Sequence, residues 1–457
     1  MATLRKDKDG MEMTYSIFNE DAVKWAREYQ GEKFHALFTD APYHLTSIVK
    51  RFGKNRSAPA KFGTDGVFSR SSRGFMGQQW DGGDIAFQPE TWEAFKGVMY
   101  DGAFGMAFSA SRNWHRMAVA IEDAGFVIHP TMFFLWVQGQ GFPKATKVRA
   151  DGFEGYKYGL QALKPAVEPI IIFQKPYVGR PIDNIAETGA GVLNIDGARV
   201  PLQGDDEYVI NEFEDGMKPF GNGAGHKFKP KSVRNQMSGD SRSPDGAGMF
   251  GEGKDVFTYP LNTSGRYPAN LVLDEGSAEA LDRQTGERPT GVVTRRKGMG
   301  YHGSDVVQEN VITNGGDGGG ASRFYNIVKD QIDENDPFYY CAKVNPKERN
   351  AGLNEFEEKV TTDGREKSID NPYNRGETLR KNNHPTLKPI ELCKHLATLL
   401  LPPAQYTPRR IFVPFSGVAS EMIGACQAGW EVVVGVEFDK ENGYVDIAER
   451  RLRHWVK

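Results

Sequence analysis

The sequence predicts an α/β fold in which one mostly parallel sheet, covered by helices on both faces, is interrupted by a loop-rich insertion. Three observations lead to this prediction. Short apolar runs alternate with segments of helical spacing over residues 1–202, and the same alternation returns over residues 381–457. The intervening residues, 203–380, are rich in glycine and polar side chains. Alternating strands and helices are typical of a mostly parallel sheet, and the two halves are therefore expected to form one domain.

The N-terminal half provides the first strands and helices. The apolar run FHALFT (34–39) is predicted as a strand that ends at Asp40. A helix over 90–100 leads into the strand FGMAFS (104–109), and Gly125 ends the following amphipathic helix. Two further apolar runs read as buried strands, FVIHPTMFFLWV and EPIIIFQK.

The C-terminal half repeats this order. The segment IELCKHLATLLL has apolar side chains at helical spacing, and RRIFV is the next predicted strand. A glycine turn then opens the helix VASEMIGACQAG, which Gly429 ends. The strand EVVVGVE ends at Glu437, and YVDIAERRLRHW is predicted as a closing amphipathic helix.

The charge balance leaves the choice of partner open. The chain has 57 Lys+Arg against 60 Asp+Glu and a formal net charge of -3, so only local clusters would attract a polyanion. Basic residues cluster within the insertion, and such a cluster is equally compatible with a solvated surface. The candidate nucleic-acid contacts are Lys144, Lys227, Lys229, Arg295 and Arg296.

Cysteine spacing and hydropathy exclude several classes of protein. Cys341, Cys393 and Cys426 lie far apart with no CxxC spacing, which argues against a zinc site or a disulfide framework, and no metal is expected. The N-terminus lacks the apolar core of a signal peptide, and no apolar run reaches the roughly 18 residues of a membrane-spanning helix. We therefore expect a cytoplasmic protein from a reducing compartment, without a membrane partner.

A candidate nucleoside site lies in the C-terminal half. The order strand, glycine turn, helix and strand runs through IFVPFSGVASEMIGA to Glu437. Gly417 would let the backbone approach a ligand, and the helix that follows would offer free N–H groups. An acid at the end of the second strand is placed to bind both hydroxyls of a ribose. A purely structural glycine turn is the alternative interpretation.

A second candidate site follows the strand at 34–39. An exocyclic aromatic amine is a poor nucleophile, because its lone pair is delocalised into the ring. The Asp40 carboxylate could accept one N–H and the Pro42 carbonyl the other, which would localise that lone pair. The Tyr43 ring could stack on the base and help to offset its extrusion from a duplex. A simple turn with an acid at the strand end is the more common occurrence of such a sequence.

The two sites together resemble a known family. Asp40-Ala-Pro-Tyr43 resembles the Asp-Pro-Pro-Tyr motif of the DNA amino-methyltransferases. HPTLKP (384–389) and VPFSGVASE (413–421) resemble the methionine-end and glycine-loop motifs of its permuted β group, in which the catalytic motif comes first. The resemblance covers most of residues 15–455. Further stretches resemble its phage and prophage branch, namely GFMGQQWD, WVQGQGFPKA, ALKPAVEPIIIFQKP, TGAGVLNIDGARV, GRYPANLVLDEG, GGASRFYNI and YYCAKVNPKERNAG.

This resemblance implies a Rossmann-like methyltransferase sheet with S-adenosylmethionine as the methyl donor. It implies base flipping and direct transfer to the N-6 amine of adenine in DNA, since an aspartate at position 40 goes with adenine. Methylation of cytosine N-4, and a catalytically inactive nucleic-acid-binding relative, remain alternatives. The implied base-binding residues are Asp40, Pro42 and Tyr43. The implied cofactor-binding residues are Phe415, Ser416, Gly417, Glu437, Phe438, His384, Thr386, Lys388, Pro389 and Asp21.

Several residues depart from the family pattern or have two interpretations. Ala41 stands where the motif has proline, and Val418 and Ala419 stand where serine and glycine are common in the glycine loop. Asp21 either helps to fix the adenine of the cofactor or caps the helix that starts there. The implied partner is double-stranded DNA, bound by a monomer or homodimer of a bacterial or phage enzyme of the restriction-modification type.

Overall fold

The chain divides into two compact units. A computed structural model describes residues 3–6, 12–43, 84–137, 144–200, 232–234, 258–260, 266–287, 292–293, 311–312, 319–328, 344, 346–362, 377–384, 387–439 and 442–456. The first unit comprises Met1–Ala198, Pro268–Glu279 and Tyr325–Lys457, and the second comprises Arg199–Tyr267 and Ala280–Phe324. Among the described residues, none of the helices combines the length and the apolar composition of a membrane span.

The strands and helices follow the predicted alternation. The strands are β1 (Thr3–Lys6), β2 (Glu12–Asn19), β3 (Phe34–Thr39), β4 (Met99–Phe108), β5 (Val127–Val137), β6 (Lys144–Lys147), β7 (Lys157–Gln161), β8 (Val167–Gln174), β9 (Ser232–Arg234), β10 (Thr258–Pro260), β11 (Leu271–Asp274), β12 (Val292–Val293), β13 (Val311–Ile312), β14 (Asn326–Val328), β15 (Lys359–Thr362), β16 (Glu377–Arg380), β17 (Arg410–Pro414) and β18 (Val432–Glu437). The α-helices are α1 (Ala22–Glu28), α2 (Pro89–Gly97), α3 (Trp114–Asp123), α4 (Pro181–Thr188), α5 (Glu275–Thr285), α6 (Pro346–Asn350), α7 (Ile390–Leu400), α8 (Ser420–Ala428) and α9 (Tyr444–Trp455).

A ten-stranded sheet forms the centre of the first unit, in the order β1-β2-β18-β17-β3-β4-β8-β5-β11-β14. From β2 to β4 each neighbouring pair is parallel, as are the pairs β5–β11 and β11–β14. The strand β8 runs antiparallel to both of its neighbours, and β1 runs antiparallel to β2. The predicted mostly parallel α/β sheet is confirmed.

Helices cover both faces of this sheet because its central strands are apolar throughout. Successive side chains of a strand point to opposite faces, so Leu37 and Phe38 of β3 enter different cores, and neither is exposed to solvent. Phe38 belongs to a core that includes side chains from α7, α8 and α9, whereas Leu37 belongs to a core that includes side chains from α1, α2 and α3. Burying one such side chain contributes about 1.5–3 kcal/mol.

Local signals set the helix ends that the sequence predicted. Gly125 and Gly429 follow α3 and α8 with φ of 81° and 96°, a left-handed conformation that glycine adopts without strain. Asp21 is the N-cap of α1, and its carboxylate accepts a hydrogen bond from the backbone N–H of Lys24 at 2.8 Å. The capping interpretation of Asp21 is therefore confirmed.

The region 203–380 is not wholly separate from the main sheet, because β11 and β14 extend it. The second unit contains two short antiparallel pairs, β9 with β10 and β12 with β13. Lys144 lies in β6 of the first unit. Four of the predicted nucleic-acid contacts lie outside the described residues, namely Lys227, Lys229, Arg295 and Arg296.

Candidate active site

The two predicted motifs meet because their strands are neighbours in the sheet. The strands β18, β17 and β3 lie side by side and run parallel, so their carboxyl ends share one edge. The Thr39 hydroxyl donates to the Pro414 carbonyl at 2.6 Å and fastens the ends of β3 and β17 together. Ligands of open α/β sheets bind beyond the carboxyl ends of the strands. Asp40, Gly417 and Glu437 all lie at this edge.

The turn after β17 has an unusual backbone. Phe415, Gly417 and Ala419 have φ of 55°, 49° and 66°, all in the left-handed region. A Cβ on Gly417 would also lie 3.1 Å from Nε2 of His384, so glycine is favoured here by both conformation and space. Non-glycine residues adopt this region at a cost of roughly 1–2 kcal/mol each. The packing of the site must therefore hold Phe415 and Ala419 in place.

Glu437 closes this turn from the neighbouring strand. Its Oε2 accepts a hydrogen bond from the Gly417 N–H at 2.7 Å. Burial raises the pKa of Glu437 to about 7, with a further increase from Asp439, while the hydrogen bond from Gly417 acts in the opposite direction. Within the described residues Oε1 of Glu437 accepts no hydrogen bond from the protein. One carboxylate oxygen therefore fixes the turn and the other is available to a ligand.

The segment HPTLKP passes beside the glycine turn. The ring of His384 packs edge-on against Tyr444, with 4.7 Å between the ring centroids. Its carbonyl accepts a hydrogen bond from Arg349 at 2.8 Å, and its N–H donates to Oδ1 of Asn382 at 3.1 Å. Pro389 ends the segment as the N-cap of α7, while Thr386 lies outside the described residues.

Lys388 joins this segment to the catalytic motif. Its side chain is 1% exposed, and its ammonium forms an ion pair with Oδ2 of Asp40. The same ammonium lies 3.2 Å from Oε1 of Glu168 and donates to the Tyr43 hydroxyl at 3.0 Å. Glu168, near the start of β8, is 3% exposed. Four polar side chains from three distant segments thus form one largely buried cluster, which we call the catalytic cluster.

The Tyr43 hydroxyl connects the two carboxyl groups of this cluster. Its oxygen lies 2.6 Å from Oδ1 of Asp40 and 2.8 Å from Oε1 of Glu168. A phenol carries one hydroxyl proton and donates to only one acceptor at a time. The other short contact becomes a hydrogen bond when that carboxyl group holds a proton of its own. The Tyr43 hydroxyl therefore links Asp40 and Glu168 within the cluster.

A third acid lies beside the cluster. Glu421, in the first turn of α8, is 4% exposed. Burial raises the pKa of Glu421 to about 7, assisted by the negative charge of Asp40 and opposed by the positive charge of Lys388.

Arg451 of α9 stabilises the turn after β17. Its side chain is fully buried, and its guanidinium donates a hydrogen bond to the Val418 carbonyl.

The structure brings most of the predicted site residues together. Asp40 and Tyr43 lie in the catalytic cluster, and the amide of Asn113 donates to the Tyr43 carbonyl at 2.7 Å. Ala41 and Pro42, between them, are buried. Phe415 packs on the α2 side of the sheet, the Ser416 side chain is buried, and Phe438 is 52% exposed. No group of three or more metal-ligating side chains occurs among the described residues.

Sequence reasoning missed Glu168, Glu421 and Asn113. It named Lys388 as a cofactor-binding residue through the HPTLKP motif, but it did not predict the ion pair of Lys388 with Asp40. The signal for Glu168 is an acid in a strand that is otherwise apolar, VEPIIIFQ, where a charged side chain requires a buried partner. That partner, Lys388, is 220 positions away in the sequence, so only the folded chain reveals it.

Comparison with known proteins gives one similar sequence and several similar structures. No family model matches the chain. The Type II methyltransferase M.HindIII of Haemophilus influenzae is 25% identical over 206 residues, which cover 39% of this chain and 64% of that protein. The chain thus matches less than two thirds of this relative. This similarity agrees with the methyltransferase resemblance of the sequence motifs.

Two of the similar solved structures are M1.HpyAVI and the PvuII DNA methyltransferase, which is cytosine-N4-specific. The M1.HpyAVI structure has a TM-score of 0.35 and 11% identity, covering 96% of this chain and 98% of that chain. The PvuII enzyme has a TM-score of 0.35 and 9% identity, covering 96% of this chain and 86% of that chain.

Proposed function

We propose that this chain is a DNA methyltransferase that uses S-adenosylmethionine to methylate an exocyclic base amine, the N-6 amine of adenine. One observation supports the proposal above all, namely that the two motifs lie at the same edge of the sheet. An acid, a proline and a tyrosine follow β3 at the edge where β17 and β18 present a glycine turn and a carboxylate with one available oxygen. A base amine and a nucleoside cofactor would therefore meet at one place.

The cofactor corner, formed by Phe415, Ser416, Gly417, His384 and Glu437, fits the chemistry of such a nucleoside. The available oxygen of Glu437 would accept hydrogen bonds from ribose hydroxyls. The left-handed Gly417 lets a ligand approach the backbone without a Cβ in the way. The helix α8 begins at Ser420, directly after this turn, so its N-terminus lies at the same edge, and no side chain caps it. When bound, S-adenosylmethionine supplies a methyl group activated by a sulfonium.

The catalytic cluster suits the needs of a base amine. The Asp40 carboxylate would accept one N–H and the Pro42 carbonyl the other, while the Tyr43 ring holds the plane of the base. A carboxylate is a stronger acceptor than a neutral oxygen, and the Lys388 ammonium forms an ion pair with Asp40 that fixes its position. Catalysis then depends on position and electrostatics rather than on a covalent intermediate.

The same cluster provides a destination for the amine proton. Asp40 and Glu168 carry two negative charges against the single positive charge of Lys388, so the cluster has one net negative charge when both acids are ionised. Accepting a proton makes it neutral. Asp40 takes the proton from the amine, and the Tyr43 hydroxyl links Asp40 to Glu168, so that the proton can be shared between the two carboxyl groups.

The choice of adenine rests on the aspartate at position 40, through the family resemblance. Cytosine N-4 is the alternative, because its amine presents the same two N–H donors to Asp40 and Pro42. Double-stranded DNA as the substrate, a monomeric or homodimeric state and a cytoplasmic location form part of the same proposal.

Replacing Asp40 tests the proposal. We expect Asp40→Ala to lower the rate of methyl transfer to duplex DNA by about 10³-fold, the range of a lost acid–base residue. Asp123→Ala, which removes an exposed aspartate at the end of α3, is the matched control and should leave the rate unchanged. The assay follows tritium from labelled S-adenosylmethionine into DNA. Equal rates for Asp40→Ala and the unmodified protein would contradict the assignment.

A further inference from the structure

An exposed hairpin lies between two strands of the sheet that meet at the active-site edge. β5 runs parallel to β3, so both strands end at this edge, and β8 returns from it. The hairpin β6–β7 lies between β5 and β8 in the chain. Glu168, near the start of β8, lies 2.8 Å from the Tyr43 hydroxyl. The hairpin therefore emerges within a few residues of the catalytic cluster.

This hairpin is ordered by its own hydrogen bonds while remaining exposed. The N–H of Phe153 donates to the Ala150 carbonyl at 3.2 Å, and the N–H of Tyr156 donates to the Phe153 carbonyl at 3.1 Å. Val148 closes the tip by donating to the Tyr156 carbonyl at 3.2 Å. Every residue from 151 to 159 is exposed. Exposed aromatic and aliphatic side chains are unfavourable in water, and a solvent-exposed set of them indicates a binding surface.

One face of the hairpin carries like charges in direct opposition. Lys147 of β6 pairs with Lys157 of β7, and both side chains are exposed. Side chains at paired positions lie on the same face, and like charges there destabilise an antiparallel pair. Arg149 lies two residues beyond Lys147 and Lys164 lies shortly after β7, both also exposed. An anionic partner would remove this repulsion.

The other face is aromatic. Thr146 pairs with Tyr158, one position away from the lysine pair, so Tyr158 points to the opposite side. Tyr156 lies just before β7, and the hydrogen bond from Val148 to its carbonyl continues the strand pairing, so Tyr156 lies on the side of Tyr158. Their exposed fractions are 66% and 60%. Aromatic rings at such exposure offer planar surfaces on which bases and sugars can stack.

We propose that the β6–β7 hairpin is a DNA-docking element, with the basic face on the phosphates and the tyrosine face toward bases. This inference rests on the proposed function, because the position beside the catalytic cluster is what selects DNA. A two-stranded ribbon fits the major groove of duplex DNA, and the paired lysines complement its closely spaced phosphates. Lys144, a predicted nucleic-acid contact, belongs to the same hairpin.

The basic face is tested by its salt dependence. We expect Lys147→Ala/Lys157→Ala to weaken duplex binding and to lower the slope of log Kd against log salt by about 2, since each lost phosphate contact contributes about 0.9. Fluorescence anisotropy with a labelled duplex gives this slope. The same variant should unfold in urea at an unchanged or higher concentration, because it also removes a repulsive pair. An unchanged slope would overturn the proposal.

The matched control carries the same change in charge elsewhere. Lys33 lies just before β3, at the opposite edge of the sheet, and Lys394 is exposed on α7. We expect Lys33→Ala/Lys394→Ala to leave the slope unchanged. Equal slopes for the two double variants would show that only net charge matters, and this would overturn the proposal.

The aromatic face has a different expected signature. Stacking releases no counterions, so Tyr156→Ala/Tyr158→Ala should weaken duplex binding by roughly tenfold at every salt concentration, with the slope unchanged. No loss of affinity would overturn the role of this face. Tighter binding of the unmodified protein to RNA of the same sequence would overturn the choice of DNA.

The proposed function can fail separately. If the unmodified protein binds duplex DNA through the hairpin but transfers no methyl group, the enzymatic assignment is wrong and the docking proposal stands. If it methylates DNA and the hairpin variants bind normally, the docking proposal is wrong and the enzymatic assignment stands.

Discussion

At the end of β3, the catalytic cluster consists of four polar side chains that bind one another, while at the end of β17 the cofactor corner consists mainly of bent backbone. Lys388 forms ion pairs with both Asp40 and Glu168, and all three side chains are largely buried. In the cofactor corner, Phe415 and Gly417 are left-handed and one oxygen of Glu437 is available. The catalytic cluster and the cofactor corner occupy the same edge of the same sheet.

This difference determines how substitutions in the catalytic cluster and in the cofactor corner would affect stability and binding. The catalytic cluster depends on charge balance, and removing one member of a buried ion pair costs about 3–5 kcal/mol. The cofactor corner depends on hydrogen bonds to a charged group, worth about 1.5–3 kcal/mol each, and on backbone conformation, worth roughly 1–2 kcal/mol per residue. We therefore expect a graded series of effects on stability and on binding.

The largest effect is expected at Lys388. Lys388→Met keeps the length of the side chain but leaves Asp40 and Glu168 buried without their cation. The free energy of unfolding should fall by about 3–5 kcal/mol, measured by urea denaturation. Lys394→Met, an exposed lysine on α7, should change it by less than about 0.5 kcal/mol. A loss equally small for Lys388→Met would show that the ion pairs are not formed.

A double variant tests whether Lys388 and Glu168 interact directly. In Lys388→Met/Glu168→Gln one negative charge is removed together with the positive one. The double variant should therefore recover part of the lost stability, with a coupling energy of about 0.5–3 kcal/mol between the two sites. Additive losses would show that Lys388 and Glu168 do not interact.

Glu437 should have an intermediate effect that depends on pH. With its pKa raised to about 7 by burial, Glu437 is protonated at lower pH and then cannot accept both ribose hydroxyls. Affinity for S-adenosylmethionine should fall as pH drops below about 7, by up to tenfold per pH unit, and level off above it. Glu437→Gln should bind about 10- to 100-fold more weakly at high pH and lose this pH dependence.

Isothermal calorimetry in buffers of several pH values measures both effects. Glu122→Gln, at an exposed position on α3, is the control and should retain the wild-type pH profile. A profile that is flat in the unmodified protein would contradict the role given to Glu437.

The smallest effect is expected at Gly417. Gly417→Ala places a Cβ 3.1 Å from Nε2 of His384 and imposes a left-handed alanine, at a cost of roughly 1–2 kcal/mol. Calorimetry should show weaker binding of S-adenosylmethionine by roughly tenfold. Gly97→Ala, at an open position at the end of α2, is a control that should bind as the unmodified protein does.

Much of the fold could be predicted because its signals are local. The strand at 34–39, the strand reaching Glu437, and the helices ended by Gly125 and Gly429 all agree with the structure. Apolar periodicity carries no strand direction, so the antiparallel insertion of β8 could not be predicted. Nor could the contribution of β11 and β14 to the main sheet, because their surroundings in the sequence are rich in loops.

The part of the candidate site that could be predicted also depends on local signals. Asp40, Gly417 and Glu437 lie at or just beyond the ends of predicted strands, and the parallel sheet brings strand ends together. Glu168 and Lys388 belong to segments whose contact is set only by tertiary structure, across 220 positions. Buried polar side chains satisfy one another in the folded state, and no short-range pattern identifies their partners.

The nucleoside formed in methylated DNA tests the central claim most directly. Duplex DNA containing all four bases would be incubated with the purified protein and tritiated S-adenosylmethionine, digested to nucleosides and separated by chromatography. The account predicts tritium in N6-methyldeoxyadenosine, and none when Asp40→Ala replaces the unmodified protein. Label in N4-methyldeoxycytidine would contradict the choice of adenine, and DNA without label would contradict the methyltransferase assignment itself.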